Sequence, residues 1–207
     1  IAAANIMEDG TTNTMFTMGL LILVIGISFK IAAAPFHFWT PDVYEGTPTL
    51  FTTFMATVVK TAGVAGFYKL MHAGFGASFT SWFPTLISIT VLTLVVGNIG
   101  AVIQPNVKRM LAYSSISHAG YLLMTLVAFN DLSENAIFFY SLSYAVASVI
   151  SFGVLKLVED AREGNQSFAA FNGLGKTNPL LAFVMTVSML SLAGIPLTAG
   201  FFAKFFV

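Results

Sequence analysis

The fold is decided by residues 30–42, which read KIAAAPFHFWTPD. A lysine ends an apolar run here, and Pro35 and Pro41 follow it closely. Because proline removes a backbone donor and interrupts an α-helix, the segment predicts a helix that breaks beside a charge. Residues 192–204, which read LAGIPLTAGFFAK, place glycines and a proline before a second lysine in the same way. Two interrupted helices next to charged side chains are the usual sequence indication of an ion site.

The composition places both segments in lipid. The chain has 207 residues, of which 57% are hydrophobic and 9% are charged, and nine basic residues balance nine acidic ones. A soluble domain has about 25% charged residues, and nucleic-acid binding requires a basic surface. We therefore expect a protein of the lipid bilayer with no nucleic-acid partner. Cysteine is absent, so we expect no thiolate-bound metal and no iron–sulfur cluster in this chain, and any redox cofactor belongs to a partner.

Apolar runs long enough to cross about 30 Å of hydrocarbon predict an all-α polytopic membrane protein. They lie at about 14–34, 49–71, 84–104, 107–129, 134–158 and 178–207. Pro84 is expected to open the third run, and residues 159–176 form the longest polar loop. The prediction is one transmembrane domain over residues 1–207 with about six transmembrane helices, the sixth cut short. Because the sequence starts at Ile1 and stops inside an apolar run, we expect an interior fragment of a longer chain.

The basic residues of the connections predict the orientation, since cationic loops stay on the cytoplasmic side. With helices that alternate in direction, Lys69 lies near one face, whereas five cations lie on the other. These five are Lys108, Arg109, Lys156, Arg162 and Lys176. The connections at 104–107 and 159–177 are therefore expected to be cytoplasmic.

Three lysines remain inside the apolar runs: Lys30, Lys60 and Lys204. A lysine at the centre of a membrane helix costs about 2.5–3.5 kcal/mol on insertion scales. One interpretation is that each side chain reaches the interface from a helix end, which is hardest for Lys60 because it has eleven residues on either side in its run. The other is a proton relay, because an apolar environment favours the neutral form of lysine and allows the amine to bind and release a proton. We favour the relay, since ionisable groups inside a membrane are functional by default.

Two polar stripes lie on the fourth and fifth runs at helical spacing, which places each stripe on one helix face. Their members are Ser114, His118, Tyr121 and Thr125 on the fourth run and Tyr140, Tyr144, Ser148 and Ser151 on the fifth. Either the stripes line a file of water with His118 as a proton-accepting station, or they are close helix packing with hydroxyls bonded to their own helix. We expect packing for the serines and threonines, and both interpretations stay open for His118.

Residues 30–49 and 106–121 resemble the N-subunit family of bacterial NADH:quinone oxidoreductase, respiratory complex I. The resemblance rests on the sequence KIAAAPFHFWTPDVYEGTPT in the first stretch and on NVKRMLAYSSISHAGY in the second. Residues 191–204 match the same family. The resemblance implies an antiporter-like fold of inverted repeats with discontinuous helices. Residues 1–72 would end the first repeat, with a broken helix at about 14–44. Residues 84–207 would belong to the second repeat, with a broken helix at about 178–207.

The resemblance also implies the function. This membrane subunit would translocate protons, driven by quinone reduction elsewhere in the complex, with Lys30 in the first half-channel, Lys60 as the central lysine and Lys204 at the exit, helped by His118. A glutamate partner of Lys30 is expected before Ile1. FMN, iron–sulfur clusters and the quinone site would belong to partner subunits, and the location would be the bacterial inner membrane beside other complex I membrane subunits.

Two alternatives stay open. The chain could be a subunit of a multisubunit sodium/proton antiporter, which shares the scaffold, or a membrane spacer without transport. Three costly lysines argue against the spacer.

Overall fold

The chain folds into an all-α bundle in a computed structural model that describes residues 13–130 and 132–207. Four helical spans are long and apolar enough to cross a membrane. They are Thr49–Gly74, Gly76–Val102, Val107–Ala128 and Ser133–Ala161. Two further segments are interrupted helices, so the described residues supply six apolar segments in all. The predicted fold class, an all-α polytopic membrane protein with discontinuous helices, is confirmed.

The helices follow one another in the order of the predicted runs. Helix α1 is Thr14–Lys30, α2 is Trp39–Gly46, α3 is Thr49–Phe54, α4 is Lys60–Lys69, α5 is Phe79–Val102, α6 is Val107–Ala128 and α7 is Ser133–Ala161. The remaining helices are α8 at Leu174–Thr177, α9 at Pro179–Ala193 and α10 at Ala199–Phe205. A π-helical turn, Met55–Val59, joins α3 to α4 in one continuous span and ends immediately before Lys60.

The first interruption separates α1 from α2 at residues 31–38. Its backbone turns at Ala32, which has a φ of 62° in the left-handed region. Two side chains replace the lost helical hydrogen bonds: the Trp39 indole donates to the Phe29 carbonyl at 3.1 Å, and the Ala34 N–H donates to Thr93 Oγ1 at 2.9 Å. Since Thr93 belongs to α5, the broken helix is fastened to a neighbouring span.

The second interruption separates α9 from α10 at residues 194–198. Gly194 ends α9 with a φ of 82°, which glycine adopts without steric cost. The two halves then approach closely, because a Cβ added at Gly200 would lie 1.8 Å from the Ser191 carbonyl oxygen. The Gly200 N–H donates to Ser191 Oγ at 3.2 Å, which closes the break.

The third span does not begin at Pro84, and this boundary was predicted wrongly. Helix α5 begins at Phe79, five residues earlier, because an aromatic cluster holds its first turns. Trp82 is fully buried, its indole donates to the Phe75 carbonyl at 3.1 Å, and its ring packs against Phe79 and Phe129. Pro84 lies in the second turn of α5, where its missing N–H removes one helical hydrogen bond, and the helix continues through it.

The polar loop at 159–176 is shorter than predicted. Helix α7 continues through Ala161, and a 3₁₀ turn at Phe168–Phe171 and α8 occupy part of the remainder. The loop is anchored where the Val107 N–H donates to the Gln166 carbonyl at 2.9 Å.

Helices α5 and α6 pack closely through glycines. A Cβ added at Gly97 would lie 2.5 Å from the backbone nitrogen of Ser117, and one at Gly100 would lie 2.3 Å from the Tyr113 ring. Small residues allow helix backbones to approach in membranes, where packing rather than the hydrophobic effect drives association. This contact fixes the rotation of α6 about its axis, which decides which of its side chains face the interior.

Basic residues and carboxylates tie one end of the bundle together. Arg109 forms ion pairs of 2.7 Å with both Asp42 and Glu45, and Lys108 Nζ donates to the Thr47 carbonyl at 2.6 Å. At the same end, Thr49 Oγ1 donates to Glu159 at 2.7 Å. Two of the five cations that were assigned to the cytoplasmic face therefore lie in one network, while the orientation itself stays a prediction.

Candidate functional site

Lys60 is the most deeply placed of the three membrane lysines. It is only 2% exposed, and its Nζ donates to the Ser115 carbonyl at 2.7 Å and to Ser115 Oγ at 2.5 Å. Ser115 lies eight residues after Val107, about 12 Å along the axis of α6. That position is close to the middle of the 22-residue helix, so the amine is held inside the bundle, away from both ends of α6.

The turn that precedes Lys60 departs from α-helical geometry. The π-helical turn Met55–Val59 ends where α4 begins. Such turns insert an extra residue into a helix and are frequent at functional sites. Sequence spacing gave no signal for this turn.

Ser115 connects Lys60 to the next polar side chain and was missed by the sequence analysis. Its Oγ also accepts a hydrogen bond from Tyr144 on α7 at 3.0 Å. The predicted stripe on this helix contained its neighbour Ser114, which is half-buried. Ser115 lies three residues before His118, a spacing that also places two side chains on one helix face, and this was the available signal.

His118, on α6, lies in the contact between α6 and α7, the two helices that carry the predicted polar stripes. It is 5% exposed, and its Nδ1 is 2.7 Å from the Tyr140 hydroxyl. The Tyr144 ring packs against the imidazole with the two centroids 4.7 Å apart. The structure thus brings His118 of one stripe together with Tyr140 and Tyr144 of the other, and Tyr144 contacts both Ser115 and the imidazole.

The outer members of the stripes contribute packing, as the alternative interpretation predicted for serine and threonine. Thr125 donates to the Leu122 carbonyl within its own helix at 2.6 Å. Ser151 donates to the Ala147 carbonyl at 2.9 Å and is 3.0 Å from the Ser188 hydroxyl on α9.

Lys204 reaches the same region from the second broken helix. Its Nζ donates to the Ala193 carbonyl at 3.1 Å, and it lies 4.5 Å from the centroid of the Tyr121 ring. A cation beside the last carbonyls of α9 is favoured by the negative end of the helix dipole. The positive φ of Gly194 turns the chain so that this contact can form.

A small cavity lies where these elements meet. Its volume is about 10 Å³, the space that one water molecule needs. The polar side chains that line it are His118, Tyr140, Ser143, Tyr144, Ser191 and Lys204. Hydrogen bonds thus join Lys60, Ser115 and Tyr144, and the Tyr144 ring packs against His118, which lines the cavity together with Lys204.

Lys30 is placed apart from this connection. It ends α1 beside the first interruption, and its side chain is exposed. Within residues 13–130 and 132–207, no hydrogen bond or ion pair joins Lys30 to Lys60 or to His118. Its place in a relay, and the glutamate expected before Ile1, stay predictions.

The arrangement suits proton transfer, because it combines two amines, an imidazole and hydroxyl groups away from bulk water. Hydroxyl and imidazole groups both accept and donate, so they can pass a proton along hydrogen bonds. Among the described residues, no group of three or more His, Asp or Glu side chains is arranged to hold a metal ion.

Known proteins are similar to this chain in sequence and in fold. NADH-quinone oxidoreductase subunit N of Cytophaga hutchinsonii is 45% identical over 204 residues, which cover 99% of this chain and 44% of that protein. The chain therefore spans less than half the length of that relative. A chain in the structure of respiratory complex I from Thermus thermophilus with bound aureothin aligns with a TM-score of 0.73 at 38% identity, covering 93% of this chain and 42% of that one.

The fold is shared more widely than the sequence. A chain in the Mrp complex of Dietzia sp. aligns with a TM-score of 0.86 at 23% identity, covering 99% of this chain and 38% of that one. The family described as "NADH:quinone oxidoreductase/Mrp antiporter, TM" matches residues 2–207. The chain therefore belongs to the transmembrane family that NADH:quinone oxidoreductases share with Mrp antiporters.

Proposed function

We propose that this chain is part of a proton-translocating membrane subunit of an NADH:quinone oxidoreductase of the subunit N type. The relative from Cytophaga hutchinsonii, 45% identical over nearly the whole chain, bears that name. The observation that carries the proposal is the buried Lys60 amine, which is bonded to Ser115 near the middle of α6. Such a group is costly in a structural element and useful in a proton path.

In the proposed path a proton moves between Lys60 and Lys204. Charged Lys60 donates to Ser115 Oγ, and neutral Lys60 can accept from the same hydroxyl, so the Ser115 and Tyr144 hydroxyls reorient when Lys60 changes charge. His118 then exchanges a proton with the Lys204 side of the cavity. Lys30, beside the first interruption, is the proposed point of proton entry to this path.

The driving force comes from like-charge repulsion. Two ammonium groups in an interior of low dielectric repel strongly, so protonation of one lysine favours release of a proton from the next. Quinone reduction in partner subunits supplies the first change of charge. The chain itself carries out no redox chemistry, and FMN, iron–sulfur clusters and the quinone site belong to the partners.

The chain is a multi-pass membrane protein, and we place it in the bacterial inner membrane beside other membrane subunits of complex I. In that location the connections at 104–107 and 159–177 face the cytoplasm. The bilayer surrounds the exposed apolar side chains of the bundle. They include Ile22, Val95, Ile99, Phe138, Leu142 and Phe183.

The alternative is a subunit of a multisubunit sodium/proton antiporter. The fold is compatible with it, because a chain of the Dietzia Mrp complex has the same fold. The sequence favours the oxidoreductase, since identity is 38% to the chain of Thermus complex I and 23% to the Mrp chain.

The experiment that separates the two isolates the full-length protein from native membranes and tests what copurifies and what drives ion movement. The proposal predicts subunits that contain flavin and iron–sulfur clusters, and proton uptake by inverted vesicles on addition of NADH in sodium-free buffer. Copurification without redox subunits, with sodium/proton exchange that does not respond to NADH, would establish the antiporter instead.

A further inference from the structure

The Ser143 hydroxyl is buried without a hydrogen-bond partner among the described residues, although several polar side chains line the same cavity. Ser143 is 8% exposed, and its Oγ contacts no donor or acceptor among the described residues. Other buried hydroxyls of the bundle donate to the carbonyl four residues earlier, as Ser151 on the same helix and Thr90 on α5 do. A buried hydroxyl that lacks a partner is costly, so it indicates a ligand that is not a protein atom.

Ser143 lines the small cavity between His118 and Lys204, and it also borders a larger open groove between α7 and α9 whose lining is mostly apolar. Polar partners for the hydroxyl are therefore concentrated in the small cavity, whose volume of about 10 Å³ holds one molecule of the size of water. A buried water needs two to four polar partners, and the lining supplies them. His118 Nδ1 is already paired with Tyr140, and Lys204 Nζ donates one of its three hydrogens to Ala193.

We propose that Ser143 positions a single water molecule that bridges His118 and Lys204. The water accepts a hydrogen bond from Lys204 Nζ, donates to His118 Nε2 and pairs with Ser143 Oγ. This geometry uses the imidazole tautomer in which Nδ1 carries the proton and donates to the Tyr140 oxygen. The water has two hydrogens and two lone pairs, and its bonds to Lys204 and His118 use one of each. Ser143 Oγ pairs with the remaining hydrogen or lone pair and so fixes the orientation of the water.

The bridge supplies the missing step in the proposed path, and this inference therefore rests on the proposed function. When Lys204 is charged, it gives a proton to the water, and the water gives one of its own hydrogens to Nε2. The amine becomes neutral, the imidazole becomes a cation, and the water is unchanged. The reverse transfer uses the same three groups. Ser143 takes no proton in either direction and acts as a positioning residue.

The test compares Ser143→Ala with Ser141→Ala in the full-length protein within its complex. Ser141 is a matched control, because it lies on the same helix, is 5% exposed and has an Oγ without a partner among the described residues, yet it lines a different cavity near Lys69 and Glu134. NADH-driven proton uptake by inverted vesicles is measured together with the amount of assembled complex.

Loss of one hydrogen bond to the water is expected to slow proton uptake about tenfold in Ser143→Ala, with Ser141→Ala at the wild-type rate. Ser143→Thr keeps the hydroxyl and should restore uptake. A second readout is the infrared difference spectrum on reduction. A water band that shifts in H₂¹⁸O should be present in the wild type and in Ser141→Ala, and absent in Ser143→Ala.

Equal uptake and an unchanged water band in the two variants would overturn the inference. Lys60→Ala is run alongside: if it abolishes uptake while Ser143→Ala does not, only the water bridge fails, and if Lys60→Ala also retains full uptake, the proposed function fails as well.

Discussion

Replacing Ser115 with alanine should disconnect Lys60 from Tyr144. The Ser115 hydroxyl accepts from Lys60 Nζ at 2.5 Å and from the Tyr144 hydroxyl at 3.0 Å, and alanine removes both bonds. Lys60 keeps its bond to the Ser115 carbonyl at 2.7 Å, so the amine stays in place. The change therefore affects the connection between the groups more than their positions.

The magnitude follows from the bond that is lost. A hydrogen bond from a charged donor contributes about 1.5–3 kcal/mol. If that bond is needed when the proton moves, its loss corresponds to a decrease of about 10- to 150-fold in rate. The expected result is a decrease of this size in NADH-driven proton uptake by inverted vesicles that carry the full-length variant.

Ser114→Ala is the control for this prediction. Ser114 is adjacent in sequence and half-buried, and its hydroxyl does not contact Lys60 or Tyr144. NADH oxidation and the amount of assembled complex are measured in both variants, so that an assembly defect is not mistaken for a transport defect. Uptake that is equal in Ser115→Ala and Ser114→Ala would refute the role assigned to the Ser115 hydroxyl.

Two further predictions concern the interrupted helices. Thr93→Val removes the acceptor of the Ala34 N–H in the first break. Leaving this buried donor unpaired should lower the free energy of unfolding by about 1–3 kcal/mol, measured as a lower unfolding temperature of the complex. Thr90→Val, which removes a bond within α5 only, should have a smaller effect, and equal effects would contradict the fastening role of Thr93. Gly200→Ala places a Cβ 1.8 Å from the Ser191 carbonyl oxygen, so the two halves of the second broken helix must separate. We expect loss of assembled complex, assayed by native gel electrophoresis, whereas Gly153→Ala, with open space around its added Cβ, should assemble normally.

Much of the fold could be predicted because it depends on local sequence. Apolar runs set the number of spans, and prolines and glycines next to Lys30 and Lys204 set the two interruptions, since they act on their own backbone. The start of α5 could not be predicted in this way. It depends on Trp82, which is buried against Phe129 at the end of α6, and this long-range contact outweighs the local signal of Pro84.

The site was partly predictable for the same reason. Helical spacing placed His118 in the polar stripe of α6 and both Tyr140 and Tyr144 in the polar stripe of α7. The structure brings these three residues together. Ser115 was missed, because adjacent serines point about 100° apart and the rotation of α6 decides which one faces Lys60. That rotation is set by close contact of α6 with Gly97 and Gly100 of α5, which no local pattern reveals.

The assignment of the chain to inverted repeats, with boundaries near residues 72 and 84, stays a prediction. The interruptions after Lys30 and before Lys204 are compatible with it, since each repeat is expected to hold one broken helix.

The central claim is that Lys60 carries protons, and the most direct measurement compares Lys60→Ala with Lys69→Ala in the full-length protein. Both lysines lie on the Thr49–Gly74 span, but Lys69 is exposed near its end. NADH oxidation, proton uptake by inverted vesicles and complex assembly are assayed in parallel, with Lys60→Met as a variant that preserves side-chain length. The account predicts that both Lys60 variants assemble while oxidation and uptake fall together, and that Lys69→Ala behaves as the wild type. Wild-type oxidation and uptake in an assembled Lys60→Ala complex would contradict it.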